Sequence, residues 1–318
     1  MPVAQGQLDK RRAPSRLYGV PKLHGHLVIV GGPADRLPDR DILARAAHLA
    51  GGASARVALL VVGPKPDDEK VALLARAVET LGVASVVTHR VLTRLEADRP
   101  EVAAAIANAT CTLLIGADPQ TLAKALRGST AEHEIHQAFE RRGACVVAIG
   151  GAASAVSRQM VTDGKNDIHP RAGLIALGPG LAFLDRIVID HHFSEKQRMG
   201  RLLSIVAQAP ELLGVGIDAQ TALLVSPKRR LEVIGRATVT ILDGRTMSYC
   251  TQAASAPGDI LAMGNVQLHL LPAGFTFDLK GGLPPARGVV GPKVPPALRE
   301  VAALVVSSSP DGSAAPSA

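Results

Sequence analysis

One stretch of the chain has the residue types and spacing for covalent catalysis. Cys145-Val146-Val147-Ala148-Ile149 reads as a buried strand and runs directly into Gly150-Gly151-Ala152-Ala153-Ser154. A strand entering a tight run of small residues and then a helix is the outline of a nucleophile elbow. In such a turn an attacking side chain stands above the sheet, and amides at the helix N-terminus can stabilise an oxyanion. The same pattern has a plainer use, as a Gly/Ala turn that lets a helix pack closely on a sheet. Partners for such chemistry lie downstream. His192 follows the apolar run Ile187-Val188-Ile189, and Asp190 and Asp218 close apolar strands. Their structural alternatives are a buried, hydrogen-bonded histidine and two turn caps. Arg198 and Arg201 are three apart on a helical stretch, which fits a solvated face as well as a clamp for carboxylates.

Other chemistries find less in the sequence. His133 and His136, beside Glu132, Glu134 and Glu140, lack the H-E-x-x-H spacing of a zinc helix and read as an exposed charged face. Gly281-Gly282-Leu283-Pro284-Pro285 lacks the G-K-[ST] end of a phosphate loop, and Lys228-Arg229-Arg230 reads as a solvated turn. No metal or cofactor is implied. Cys111, Cys145 and Cys250 cannot all pair and show no C-x-x-C spacing, which excludes a disulfide scaffold.

The elements that must position these residues follow from the apolar runs. Leu27 to Val30, Val57 to Val62, Val86-Val87, Thr112 to Ile115 and Ala144 to Ile149 do not alternate with polar residues, as expected of strands covered on both faces. Between them, Asp67 is a plausible cap for a helix in which Val71, Leu74, Val78 and Leu81 keep helical spacing up to Gly82. Two further helices are predicted over 119–127 and 131–142. This order predicts an α/β fold, a doubly wound, mostly parallel sheet with helices on both faces. After a helix over 195–208, the short runs 213–217, 222–225, 231–234 and 238–242 predict a mixed or antiparallel extension of that sheet.

Composition narrows the function class. Of the 318 residues 47% are hydrophobic, enough for a large core, and no apolar run nears the ~20 residues of a membrane span. The net charge of +7 sits mainly in residues 1–26, where five basic residues face one Asp and leave +4. With five Phe, two Tyr and no Trp, the body lacks the stacking aromatics of a single-strand binder, so no nucleic-acid partner is expected. The predicted organisation is a flexible basic arm over 1–25, one domain over 26–303 and a disordered tail over 304–318. The arm lacks the apolar core of a secretory signal, which predicts a cytoplasmic protein.

From about His26 to Leu279 the chain resembles the cyanophycinase family, serine peptidases on a class I glutamine-amidotransferase-like sheet. Gly31-Gly32-Pro33-Ala34-Asp35-Arg36 is similar to the family's G-G-A-E-D-K turn, and Gly116-Ala117-Asp118-Pro119 stands where the family has G-G-D-Q. The match is densest from Leu177 to Ala222, through Gly178-Pro179-Gly180-Leu181, Ile189-Asp190-His191-His192-Phe193, Gly200-Arg201-Leu202-Leu203 and Leu213-Gly214-Val215-Gly216-Ile217-Asp218. The resemblance implies that His192 is the catalytic base and that Gly116, Asp118, Asp190, Arg198 and Asp218 contact substrate. It places the oxyanion region at Gly151 and Ala117.

The family's elbow reads approximately G-G-V-V-A-G-T-S-A-G-A-S. Laid on Gly143 to Ile149 from upstream, and on Met160-Val161 from downstream, it puts the nucleophilic serine at Gly150. Other departures gather there: Ala117 and Pro119 in the G-D-Q motif, His191 in place of Gln, Lys196-Gln197-Arg198 for R-G-R, and Ala219 for Glu. Asp163 and Asp167 are the candidates for the acid that orients the base. The resemblance implies a kept scaffold with an absent nucleophile: a pseudo-peptidase that binds cyanophycin-type β-Asp-Arg material or a partner subunit, as a homodimer or as a heterodimer with an active paralogue. Two alternatives stay open. Ser154 can substitute as nucleophile from the helix, or the register differs and Ser154 is itself the elbow serine of an active hydrolase of β-aspartyl peptides.

Overall fold

The computed structural model describes residues 24–34, 36–228 and 230–278. The tail, the Gly281–Pro285 run, Arg229 and the arm up to residue 23 lie outside the described residues. The first half alternates strand and helix: β1 (Leu27–Val30), α1 (Arg40–Leu49), β2 (Arg56–Val62), α2 (Asp68–Glu79) and β3 (Ser85–Val91). Then come α3 (Arg94–Ala97), α4 (Pro100–Asn108), β4 (Cys111–Gly116), α5 (Pro119–Leu126), α6 (Thr130–Arg141), β5 (Cys145–Gly150) and the one-turn α7 (Gly151–Ala155). β1, β5, β4, β2 and β3 lie side by side in that order, and all run parallel.

Successive side chains of a strand point to opposite faces, and the core divides accordingly. Val28, Val30, Leu59 and Val61 pack with Ile42 and Leu43 of α1 and with Val71 and Leu74 of α2. Leu27, Ile29, Leu60 and Leu114 pack on the other face with Ile106 of α4, Leu122 of α5 and Phe139 of α6. Covered on both sides, β1, β4 and β5 are buried throughout. Asp67 caps α2 as predicted, its carboxylate accepting the Lys70 amide. The sheet is doubly wound.

The second half holds β6 (Gln159–Gly164) and β7 (Ile175–Pro179), paired as a hairpin, then β8 (Ile187–His191), α8 (Met199–Gln208), β9 (Leu213–Ile217) and β10 (Thr221–Val225). After them run β11 (Arg230–Gly235), β12 (Thr238–Asp243), the short pair β13 (Tyr249–Cys250) and β14 (Met263–Gly264), β15 (Gln267–Pro272) and β16 (Thr276–Asp278). Only part of it extends the main sheet. β10, β11 and β16 extend the main sheet beyond β1, each antiparallel to the strand before it, whereas β15, β12, β9 and β8 form a separate four-stranded sheet. In that sheet α8 is the crossover between the parallel pair β8 and β9. α8 begins at Met199 rather than at 195, because His192 and Gln197 take positive φ and hold 192–198 as a turn. Among the described residues no helix is long and apolar enough to cross a membrane.

Candidate active site

The cleft above the carboxyl ends of the parallel strands is where an open α/β sheet places its ligands. At its centre β5 ends on Gly150, with φ 68° and ψ −129°, and α7 starts at the next residue. That left-handed φ favours glycine. A Cβ at 150 would lie 2.7 Å from both the Ala34 Cβ and the Gly116 carbonyl oxygen, and 2.9 Å from the Ala34 amide nitrogen. A Cβ at Gly151 would lie 2.7 Å from the backbone between Asp118 and Pro119. The loops after β1 and β4 have closed on the turn at the points where these two residues have no side chain.

β8 delivers the histidines. His192 takes φ 54° and donates its backbone N–H to the Gly31 carbonyl at 2.9 Å, which ties the turn to the end of β1. Phe193 lies against Gly216 of β9, where a Cβ would sit 2.3 Å from its ring. His191 Nδ1 and Ser154 Oγ are hydrogen-bonded at 2.9 Å. Burial pushes the His191 imidazole well below its ordinary pKa, and the positive charges of Arg198, His192, Arg201 and Lys196 push it further the same way. The two imidazole rings lie 5.2 Å apart.

Behind the histidines sits a buried ion cluster. Asp190, fully buried, accepts from Arg198 at 2.7 Å and from Arg201 through two bonds at 2.6 and 2.8 Å. Arg198 also donates to the Asn166 side chain and to the His191 carbonyl. The two arginines are therefore not a solvated face. Their shared carboxylate is inside the protein, and Arg198 positions the backbone of β8. Asp218 is likewise engaged, accepting at one oxygen from Ser194 and at the other from Thr238. Asp118 caps α5 by accepting the Thr121 amide.

Pro33, Ala34, Pro64, Lys65, Pro66, Asp67, Lys70, Ala117, Gly150, His191, His192 and Lys196 line a cleft of about 450 Å³. None of these described residues carries a hydroxyl or a thiol. Ser154 is not among them and is only 2% exposed, its hydroxyl facing His191 from beneath. The structure thus brings Gly150, Ala117, His191 and His192 together. Asp163 and Asp167 are not on the lining: Asp163 accepts the Gly164 amide, and Asp167 accepts from His169 and Arg171, which hold its carboxyl down at about 2. His136 also departs from expectation. It stacks on Phe183 at 4.3 Å and bonds the Leu181 carbonyl, so its ring is packed rather than part of an exposed charged face. Among the described residues no group of three His, Cys, Asp or Glu could hold a metal ion.

Lys65 and Lys70 also line the cleft and carry no motif that marks them in the sequence. The available signal was their place just after β2, at the same strand ends as the elbow.

Comparison with known proteins gives the family and the fold. Residues 48–233, more than half of the chain, match the profile of peptidase family S51. A cyanophycinase of Geminocystis herdmanii is 29% identical over 271 residues, 84% of this chain and 98% of that one. A cyanophycinase of Synechococcus elongatus is 29% identical over 257 residues, 80% of each chain. Among solved structures, a peptidase from an acI-B1 Actinobacterium superposes with a TM-score of 0.59 at 19% identity, over 81% of this chain and 98% of that one, which is a likeness of fold.

Proposed function

This chain belongs to peptidase family S51, and on that premise we propose that it is a cyanophycinase-like member that binds aspartyl peptides of the cyanophycin type without hydrolysing them. The observation that carries the reading is the lining of the cleft. At the apex of the strand–helix turn stands Gly150, and no hydroxyl or thiol reaches the cleft from its described residues. Acyl transfer by this route needs a nucleophile beside a general base. Removing the serine of a serine protease lowers turnover by on the order of 10⁶. Among the described lining residues none offers His192 an attacking group to activate. An assembly with a second copy or with an active paralogue belongs to the same reading, and sedimentation of the full chain tests it.

One contact favours a second reading. Ser154 and His191 stand at the 2.9 Å separation of a nucleophile and its base. Against it, the hydroxyl is buried a helical turn below the apex, off the cleft where a scissile carbonyl would lie. Incubation of the purified chain with cyanophycin and with β-aspartyl dipeptides separates the two readings. The expected result is binding with no release of product above a buffer control. Release that disappears in Ser154→Ala would establish the second reading.

A further inference from the structure

The charges of the cleft are arranged at two poles. Lys65 and Lys70 come from the segment after β2 and the first turn of α2. His191 closes β8, and His192 and Lys196 come from the turn after it, which the His192–Gly31 bond fastens to the end of β1. Between β2 and β1 lie β4 and β5, three strand spacings or roughly 14 Å at the backbone. Gly150 and Ala117 floor the space between the poles. Asp67 is the one carboxylate on the described lining, and it pairs with Lys70 at 3.2 Å. Of the neighbouring acids, Asp190 is held by two guanidiniums and Asp68 by Arg90, while Glu195 is turned to the Ala219 amide and keeps its charge. Asp35, next to Ala34 in sequence and outside the described residues, would still leave the three lysines in excess. Burial, then Arg198 and Arg201, lower the Lys196 ammonium from its usual range, against the opposing pull of Asp190.

We propose that the cleft is a receptor for a short acidic peptide, with one free carboxylate on Lys65 and Lys70 and another on Lys196. The inference rests on the cleft being a binding site, as argued above, and adds what it grips. An extended peptide gains about 3.3–3.6 Å per residue, so about three residues bridge the poles once the lysine side chains reach inward. A β-Asp-Arg unit carries a guanidinium that offsets its carboxylates, whereas a run of free aspartates carries none.

Calorimetric titration of the full chain with N-acetyl-tri-aspartate tests this, with N-acetyl-trialanine, β-Asp-Arg dipeptide and inorganic phosphate as comparisons. The expected result is one tri-aspartate per chain, an affinity that falls as salt is raised, and a loss of about ten-fold in each of Lys65→Ala and Lys196→Ala. The His191 ring, followed by NMR, should titrate at higher pH with tri-aspartate bound, because the ligand neutralises the cations around it. Equal binding of trialanine, or an affinity indifferent to either lysine, would overturn the inference. So would phosphate binding as tightly as tri-aspartate, since a single anion cannot span both poles. Tighter binding of β-Asp-Arg would overturn the acidic preference and leave the non-hydrolytic reading standing. Cleavage of either peptide would do the reverse.

Discussion

At the residue scale the chemistry of the site turns on Gly150. Its place at an elbow was legible in the sequence, because the apolar run from Cys145 ends there and small residues follow. Its positive φ and the closeness of Ala34 were not, since both depend on loops distant in sequence. They bear on whether one substitution could rebuild a peptidase. Gly150→Ser puts a β-carbon into a left-handed conformation and against the Gly116 carbonyl and the Ala34 backbone. A non-glycine residue in such a sparsely populated backbone region costs about 1–3 kcal/mol, and contacts under 3 Å add to it. The variant is expected to unfold at lower denaturant than the parent by at least that amount and to release no product from cyanophycin. Unchanged stability would show that the loops yield more readily than the structure indicates, and turnover would show that the nucleophile was all the site lacked.

At the element scale, the bond from Ser154 on α7 to His191 at the end of β8 joins two elements that the sequence reading placed separately. Nothing in periodicity couples a helix residue to a histidine 37 positions later. The start of α8 at Met199 departs from the predicted 195 for a related reason. The positive φ values at His192 and Gln197 come from contacts such as His192 to Gly31, and an apolar repeat carries no record of them. By contrast the Asp67 cap of α2 was legible, because an N-cap is a local device. The buried bond has a pH signature. His191 is depressed below its ordinary value of 6.5, so on acidification the unfolded chain takes up this proton before the folded one. Stability is full above pH 6.5 and falls as pH drops toward the folded value, by up to about 1.4 kcal/mol per pH unit. His26 and His269 are depressed in the same direction, so the difference between parent and variant is the informative quantity. Denaturant unfolding at pH 7 and pH 5 should show a smaller acid loss in His191→Gln. Parallel losses would mean that His191 is not held neutral.

At the scale of the whole molecule, the doubly wound half is legible because strands covered on both faces are near-continuous apolar runs, as β1, β2, β4 and β5 are apart from Arg56 and Thr112. The division of the second half into two sheets is not. Leu213 to Ile217 and Thr221 to Val225 are alike in composition and both fully buried, yet one joins β8 and the other β1. Pairing of that kind is decided by the α8 crossover and by the close approach of Gly31 to the β9–β10 turn. The result places the β8 histidines over the cleft of the main sheet, so a family scaffold is kept while the residue at its apex has no side chain. Intact-mass analysis after incubation with a serine-reactive phosphonate is the most direct test of that claim. An unmodified mass is expected under conditions that fully label an active serine peptidase. A stoichiometric adduct that maps to Ser154 and vanishes in Ser154→Ala would contradict it.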